Sequence, residues 1–208
     1  MSSSPRRQLP VVGAPRGAPA FPEHLRADAA RNRGALLVAA QELVERCGVE
    51  HVTMEAVAQQ AGVGKGTVFR RFGSRQGLMG ALLDFSEAEW QGAVISGEPP
   101  LGPGAAPYER LVAFGHSRLV ATLRHAELIQ AAGYAGSPSV PAYSFARMHV
   151  RMLLAELGVT GDLPLLAVAL LAPLEMPVLR QQVDVDGFPV ARVFDGWVDL
   201  LDRVVRRR

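Results

Sequence analysis

Apolar residues recur at helical spacing along most of the chain. Leu36, Leu37, Ala40, Leu43 and Val44 follow one another at intervals of three and four, and Gly48 comes next as a stop, which predicts a first helix over about 25–47. Thr53 stands where an N-cap would. Val57, Ala58 and Ala61 then give a short apolar face that Gly62 ends, so a second, short helix is expected there. Val63 and Gly64 form a tight turn, Lys65 to Phe72 a third helix closed by Gly73, and Leu78, Leu82 and Phe85 mark a fourth over about 75–95. A Pro- and Gly-dense break, SGEPPLGPGAAP (96–107), precedes further helical stretches at about 108–125, 126–134, 141–158, 163–182 and 188–206. Pro173 and Pro177 are expected to kink the fourth of these. Few segments alternate with period two and no repeat is visible, so the fold class expected is all-α.

The chain divides into three parts on this reading. Residues 1–22, rich in Pro, Gly, Ser and Ala, read as a flexible extension. Residues 23–74 read as a three-helix unit and 75–208 as a larger helical domain. With 208 residues and 49% hydrophobic content, a sizeable core is available and wholesale disorder is excluded. The single cysteine, Cys47, excludes a disulfide framework and any multi-cysteine metal site; at a helix end it reads as a small buried hydrophobe. The five histidines show no metal-type pairing. GVGKGT (62–67) lacks the spacing of a phosphate-binding loop and a strand before it, so neither an enzyme nor a cofactor is expected. The uncharged run between Asp162 and Glu175 is too short for a bilayer span and contains Pro164 and Pro173. The N-terminus has no apolar stretch of signal-peptide length. A cytoplasmic protein without membrane contact is expected.

Charge adds a direction. Net charge is +2, but residues 1–85 carry 11 basic against 7 acidic side chains, while 86–208 carry 11 against 13. The positive excess sits in the N-terminal part, as an anionic partner there would require.

Thr53 to Phe72, TMEAVAQQAGVGKGTVFRRF, has helix-turn-helix spacing. Val57 and Ala61 pack inward, Ala58 is small where two helices approach, Gly62 permits the turn and Val63 is expected to plug the core behind it. Val68 and Phe72, four apart, form the inner stripe of the third helix. A wheel of 100° per residue then points Gly66 and Arg70 outward, flanks them with Thr67 and Phe69, and puts Lys65 and Arg71 nearer the edges. Such a face suits a major groove. Gly66 lets the backbone approach, Arg70 forks onto guanine, and Thr67 touches a base or phosphate. Lys65, Arg71 and Arg75 would neutralise phosphates, and Thr53 would add a phosphate contact at the start of the second helix. The candidate DNA-binding residues are therefore Thr53, Lys65, Gly66, Thr67, Phe69, Arg70, Arg71 and Arg75. The same spacing is compatible with a helical bundle whose helix-turn-helix is only structural.

The segment GVEHVTMEAVAQQAGVGKGTVFRRFGSRQGLMGALL resembles the N-terminal domain of the TetR/AcrR bacterial transcriptional regulators. The features that match are Gly48, Thr53, Ala58, the Ala61-Gly62-Val63 turn, Thr67-Val68-Phe69, Phe72, Arg75 and Leu78, within about residues 30–85. The resemblance implies an all-helical homodimer on double-stranded DNA at a palindromic operator, usually a repressor, with a C-terminal domain that binds a small-molecule effector. Two positions depart from the family pattern: Phe69 replaces a frequent tyrosine, and Gly64 stands where serine or threonine often caps the third helix.

The remaining chain is read within that frame. The stretches 163–182 and 188–206 are the candidates for a dimer-forming four-helix bundle. Trp197, Val198, Leu201, Val204 and Val205 form one stripe near the C-terminus. Candidates for an effector pocket are Trp90, Phe114, His116, Arg118, Tyr134, Tyr143, Phe145, His149 and Met152; ordinary core packing is the simpler reading of each aromatic and Met, and a hydrogen-bonded or exposed histidine that of His116. Two other functions stay open: a non-sequence-specific DNA-binding protein, and a helical small-molecule-binding domain with a structural helix-turn-helix.

Overall fold

Glycine, proline and short polar side chains set the helix limits in the computed structural model, which describes residues 23–133 and 140–206. The extension 1–22 and Tyr134 lie outside the described residues. The elements are α1 (Glu23–Cys47), a 3-10 turn at Val49–His51, α2 (Met54–Gln60), α3 (Lys65–Phe72), α4 (Arg75–Ser96), α5 (Pro107–Arg124), α6 (Ala126–Ala131), α7 (Val140–Glu156), α8 (Leu163–Leu171), α9 (Met176–Arg180) and α10 (Val190–Val205). Among the described residues there is no strand.

Thr53 caps α2 by accepting the Ala56 amide at 3.1 Å, Ser74 caps α4 by accepting Gly77 at 3.1 Å, and Asp162 caps α8 by accepting Leu165 at 3.0 Å. Gly62 takes φ +66°, the left-handed conformation that lets the chain reverse after α2. The Val63 amide then donates to Ala58 O at 2.9 Å and closes the turn. That closure leaves the Val63 side chain 39% exposed, so it does not plug the core as expected. Cys47 is likewise exposed, its thiol donating to Leu43 O at 3.0 Å rather than packing inside.

Two apolar clusters form. In the N-terminal one, Leu37, Ala40 and Leu43 of α1 meet Val57 and Ala58 of α2, Val68 of α3, and Leu78, Met79 and Leu82 of α4. Leu128 of α6 and Ala132 just after it belong to this same cluster although they come from the far side of the chain. Gln76 of α4 reinforces the junction by donating to Ala132 O at 3.1 Å. The second cluster gathers Val94 at the distal end of α4 with α5, α7, α8, α9 and α10, around Phe114, Leu153, Leu154, Leu170, Trp197 and Leu201. At 22 residues and 1.5 Å per residue, α4 spans about 33 Å and joins both clusters.

The stretch expected as one kinked helix over 163–182 is broken outright. Pro173 has no amide to donate, α8 stops at Leu171, a 3-10 turn follows at Ala172–Leu174, and Glu175 is extended before α9 begins. The Trp197 indole N–H donates to Leu170 O at 2.7 Å and satisfies a carbonyl at this break. After α9 the chain widens into a π-helical turn, Gln181–Val185. Counted through its breaks, Leu163–Val185 is the one stretch among the described residues long and apolar enough to cross a membrane by length and composition alone, and it is no continuous helix. Ala167, Leu170, Leu171, Leu174 and Leu179 pack it into the second cluster, and Leu165, Val178 and Val185 stay exposed.

Candidate functional site

The α2–turn–α3 unit is held from behind and open in front. Val68 is fully buried and Phe72 is half-buried against the N-terminal cluster, as the four-residue spacing requires. Gly66, Phe69, Arg70 and Arg71 are exposed, with Phe69 at 40%, and Thr67 is half-buried. Beyond its chain neighbours and the backbone of α3 itself, no atom of the described residues lies within 4 Å of the position a Cβ would take at Gly66, so a partner's backbone or groove wall finds free space there. Gly64 offers no side-chain cap to α3. Within the first turn of α3 the Thr67 amide donates to Gly64 O at 2.8 Å.

The expected phosphate contacts occupy distinct environments. Thr53, exposed, uses its hydroxyl oxygen as the α2 cap and keeps the hydroxyl hydrogen for another acceptor. Lys65 pairs with Glu55 and lies 5.3 Å over the Phe69 ring centroid. Arg71 borders a cavity of about 610 Å³ with Arg33, Ser74 and Asp84. Arg75 points into the domain: its Nε donates to Val52 O at 2.9 Å and its Nη2 to Val49 O at 2.6 Å, which tethers the start of α4 to the turn before α2. Around the back of α2, Gln60 links Arg46 and Glu42 of α1 at 3.1 and 2.8 Å. The sequence reading did not anticipate these links or the Glu55 contact.

In the larger domain, five of the pocket candidates come together. Trp90 meets Phe114 at 5.2 Å and Phe145 at 6.0 Å between ring centroids. His149 stacks on Phe114 at 5.1 Å, and the Arg118 guanidinium lies 5.2 Å from the Trp90 ring. Arg118 is buried and donates from Nη1 to both oxygens of Glu87 at 3.2 and 2.9 Å. His116 faces elsewhere, edge-on to Phe194 at 4.9 Å. Tyr143 is half-buried beside Arg147, and Met152 is exposed on the outside of α7. Within the buried region, Arg118 Nε, Thr122 Oγ1 and His149 Nε2 have no hydrogen-bond partner. Burial, with Arg110 nearby, pushes the His149 imidazole down to about 4, so it is neutral at pH 7. Burial also raises the Glu175 carboxyl and lowers His125. Neither Glu87 nor Thr122 stood out in sequence.

Fold and exposed helix together define an all-α protein with an N-terminal helix-turn-helix and a second helical cluster. Residues 36–82 match the sequence model of a family described as bacterial regulatory proteins, tetR family. No curated protein matches the chain by sequence. Among solved structures, a TetR-family transcriptional regulator from Pectobacterium atrosepticum is 18% identical, with TM-score 0.64 over 87% of this chain and 95% of its own. Thermus thermophilus FadR, a TetR-family transcriptional repressor solved with lauroyl-CoA, is 21% identical, with TM-score 0.58 over 85% of this chain and 96% of its own. Residues 36–82 thus match the TetR-family model, and the chain takes the fold seen in those solved TetR-family structures.

Proposed function

We propose that this chain is a sequence-reading repressor that acts in the cytoplasm as a homodimer on a palindromic operator and is released by a small molecule. The observation that carries the reading is the polarity of α3: Val68 is fully buried while Gly66, Phe69 and Arg70 stand open on the opposite side. A helix so anchored can enter a major groove, with Arg70 reading a guanine edge and Thr67 and Phe69 contacting neighbouring bases or sugar. Lys65 and Arg71 supply phosphate contacts, and Thr53 adds one from the start of α2. Arg75 contributes by fixing the α2 approach through the Val49 and Val52 carbonyls.

Two features support the rest. Leu165 is 66% exposed and Val185 70% on a stretch that is otherwise strongly apolar, which suits burial against a second copy. The outer side of α10 shows Arg192, Asp195, Asp199 and Arg203 instead, so the contact centres on 163–185 rather than on both terminal stretches equally. Inside the larger domain, the unpartnered Arg118 Nε, Thr122 Oγ1 and His149 Nε2 beside Trp90 and Phe145 are what an effector with hydrogen-bonding atoms and an apolar body would satisfy. Such a molecule releases DNA only through unequal affinity for the DNA-fitting and non-fitting arrangements of the dimer.

The test is selection of bound duplexes from a random pool with the purified protein. An inverted repeat with half-sites about one duplex turn, roughly 34 Å, apart is expected. Arg70→Ala should then relax preference at one position of each half-site by about 1–3 kcal/mol. Binding with no enriched sequence would reduce the protein to charge-driven binding. No duplex affinity at low salt would make the helix-turn-helix purely structural.

A further inference from the structure

We infer that Glu55 is a built-in counter-ion that restrains Lys65 and thereby sets how tightly the protein holds any duplex. This rests on the DNA-binding reading above and concerns a residue outside the set placed on the duplex. Glu55 lies in the first turn of α2, two positions after the Thr53 cap, and pairs with Lys65 in the first turn of α3. Lys65 is the only lysine in the chain. Its ammonium is held twice on the open face, by the Glu55 carboxylate and over the Phe69 ring. The hydrogen bond from Lys65 also keeps the Glu55 carboxyl below its ordinary range.

The pair contributes little to the fold. Both side chains are more than half exposed, and exposed ion pairs add little to stability. Buried Val57, Ala58 and Val68 fix α2 against α3, and the Thr53 cap and the Gly62 turn fix the connection. The consequence of the pair therefore falls at the surface. A phosphate that takes Lys65 must first displace Glu55, and the released carboxylate then stands beside the duplex backbone. This cost does not depend on sequence. Base preference, carried by Arg70 and Thr67, is untouched by it. Glu55 is thus a positioning residue that acts through Lys65 on affinity and on its salt dependence.

Affinity is measured against salt concentration for the wild type, Glu55→Gln, Lys65→Met and the double variant. Two probes are used: a duplex of about 30 base pairs recovered from the selection, and a random-sequence duplex of equal length. Glu55→Gln should bind both more tightly by the same factor. Its log–log salt slope should be steeper by about one, so the gain grows roughly tenfold for each tenfold drop in salt. In the Lys65→Met background the same change should gain less. Thermal denaturation should place Glu55→Gln level with the wild type. Unchanged affinity and slope would overturn the inference, as would an equal gain with and without Lys65, which would reduce Glu55 to plain repulsion. A wild type that binds the duplexes while Glu55→Gln changes nothing removes Glu55 alone; a wild type that binds neither duplex at low salt removes the DNA-binding reading with it.

Discussion

His149 is stacked on Phe114 inside the second cluster, with its imidazole at about 4 against an ordinary 6.5. The folded protein therefore binds fewer protons there than the unfolded chain between those two values. Stability is fully present above 6.5 and is lost as pH falls through that window, at about 1.4 kcal/mol per unit from this group. Thermal melts from about pH 7.5 to 4.5 should show the decline, and His149→Phe should lessen it, with His125, which burial also lowers, contributing in the same direction. Glu175, whose carboxyl burial raises, works with the opposite sign, so the comparison of wild type and variant isolates the histidine. Some side-chain roles could be read in advance. Val68 and Phe72 lie four apart, and that spacing alone fixes the sides of α3. Arg75 could not be read, because the carbonyls it holds are 23 and 26 positions away and nothing local marks them. Glu55 was hidden for the same reason: its partner lies across the turn.

At the level of elements, helix limits followed local chemistry wherever a cap or a glycine stood. The expected 65–72 helix and the Pro107-led α5 illustrate this. The break after Leu171 is signalled locally by Pro173, but its depth is not: the sequence predicts a kink, and a full break is found, one of whose carbonyls is satisfied by Trp197, 27 residues on in another helix. The α5–α10 contact shows how tight that packing is. Gly115 faces the six-membered ring of Trp197, and a methyl group at that position would overlap it. Gly115→Ala should therefore destabilise the protein by about 1–3 kcal/mol through forced separation of α5 and α10. Chemical denaturation followed by tryptophan fluorescence would measure it, and an unchanged midpoint would show that the two helices yield freely.

For the whole molecule, the exposed apolar side of 163–185 is the feature with the largest consequence for assembly. Leu165→Asp should leave the fold intact and yield a monomer in sedimentation. With only one reading helix engaged, affinity for a two-half-site duplex should fall by about a hundredfold. A variant that stays dimeric would move the contact elsewhere. The two-cluster arrangement was legible only in part. The helix-turn-helix motif suggests a division at 74/75, but Leu78, Met79 and Leu82 of α4 lie in the N-terminal cluster, and Leu128 and Ala132 carry no local sign that they join it. Because Leu78, Met79 and Leu82 of α4, together with these two residues, complete the N-terminal core, residues 23–74 are not a transplantable cassette. An excised fragment would carry an unfilled socket, and a chimera grafting this head onto a foreign sensor would have to bring α6 and the first half of α4 along with it.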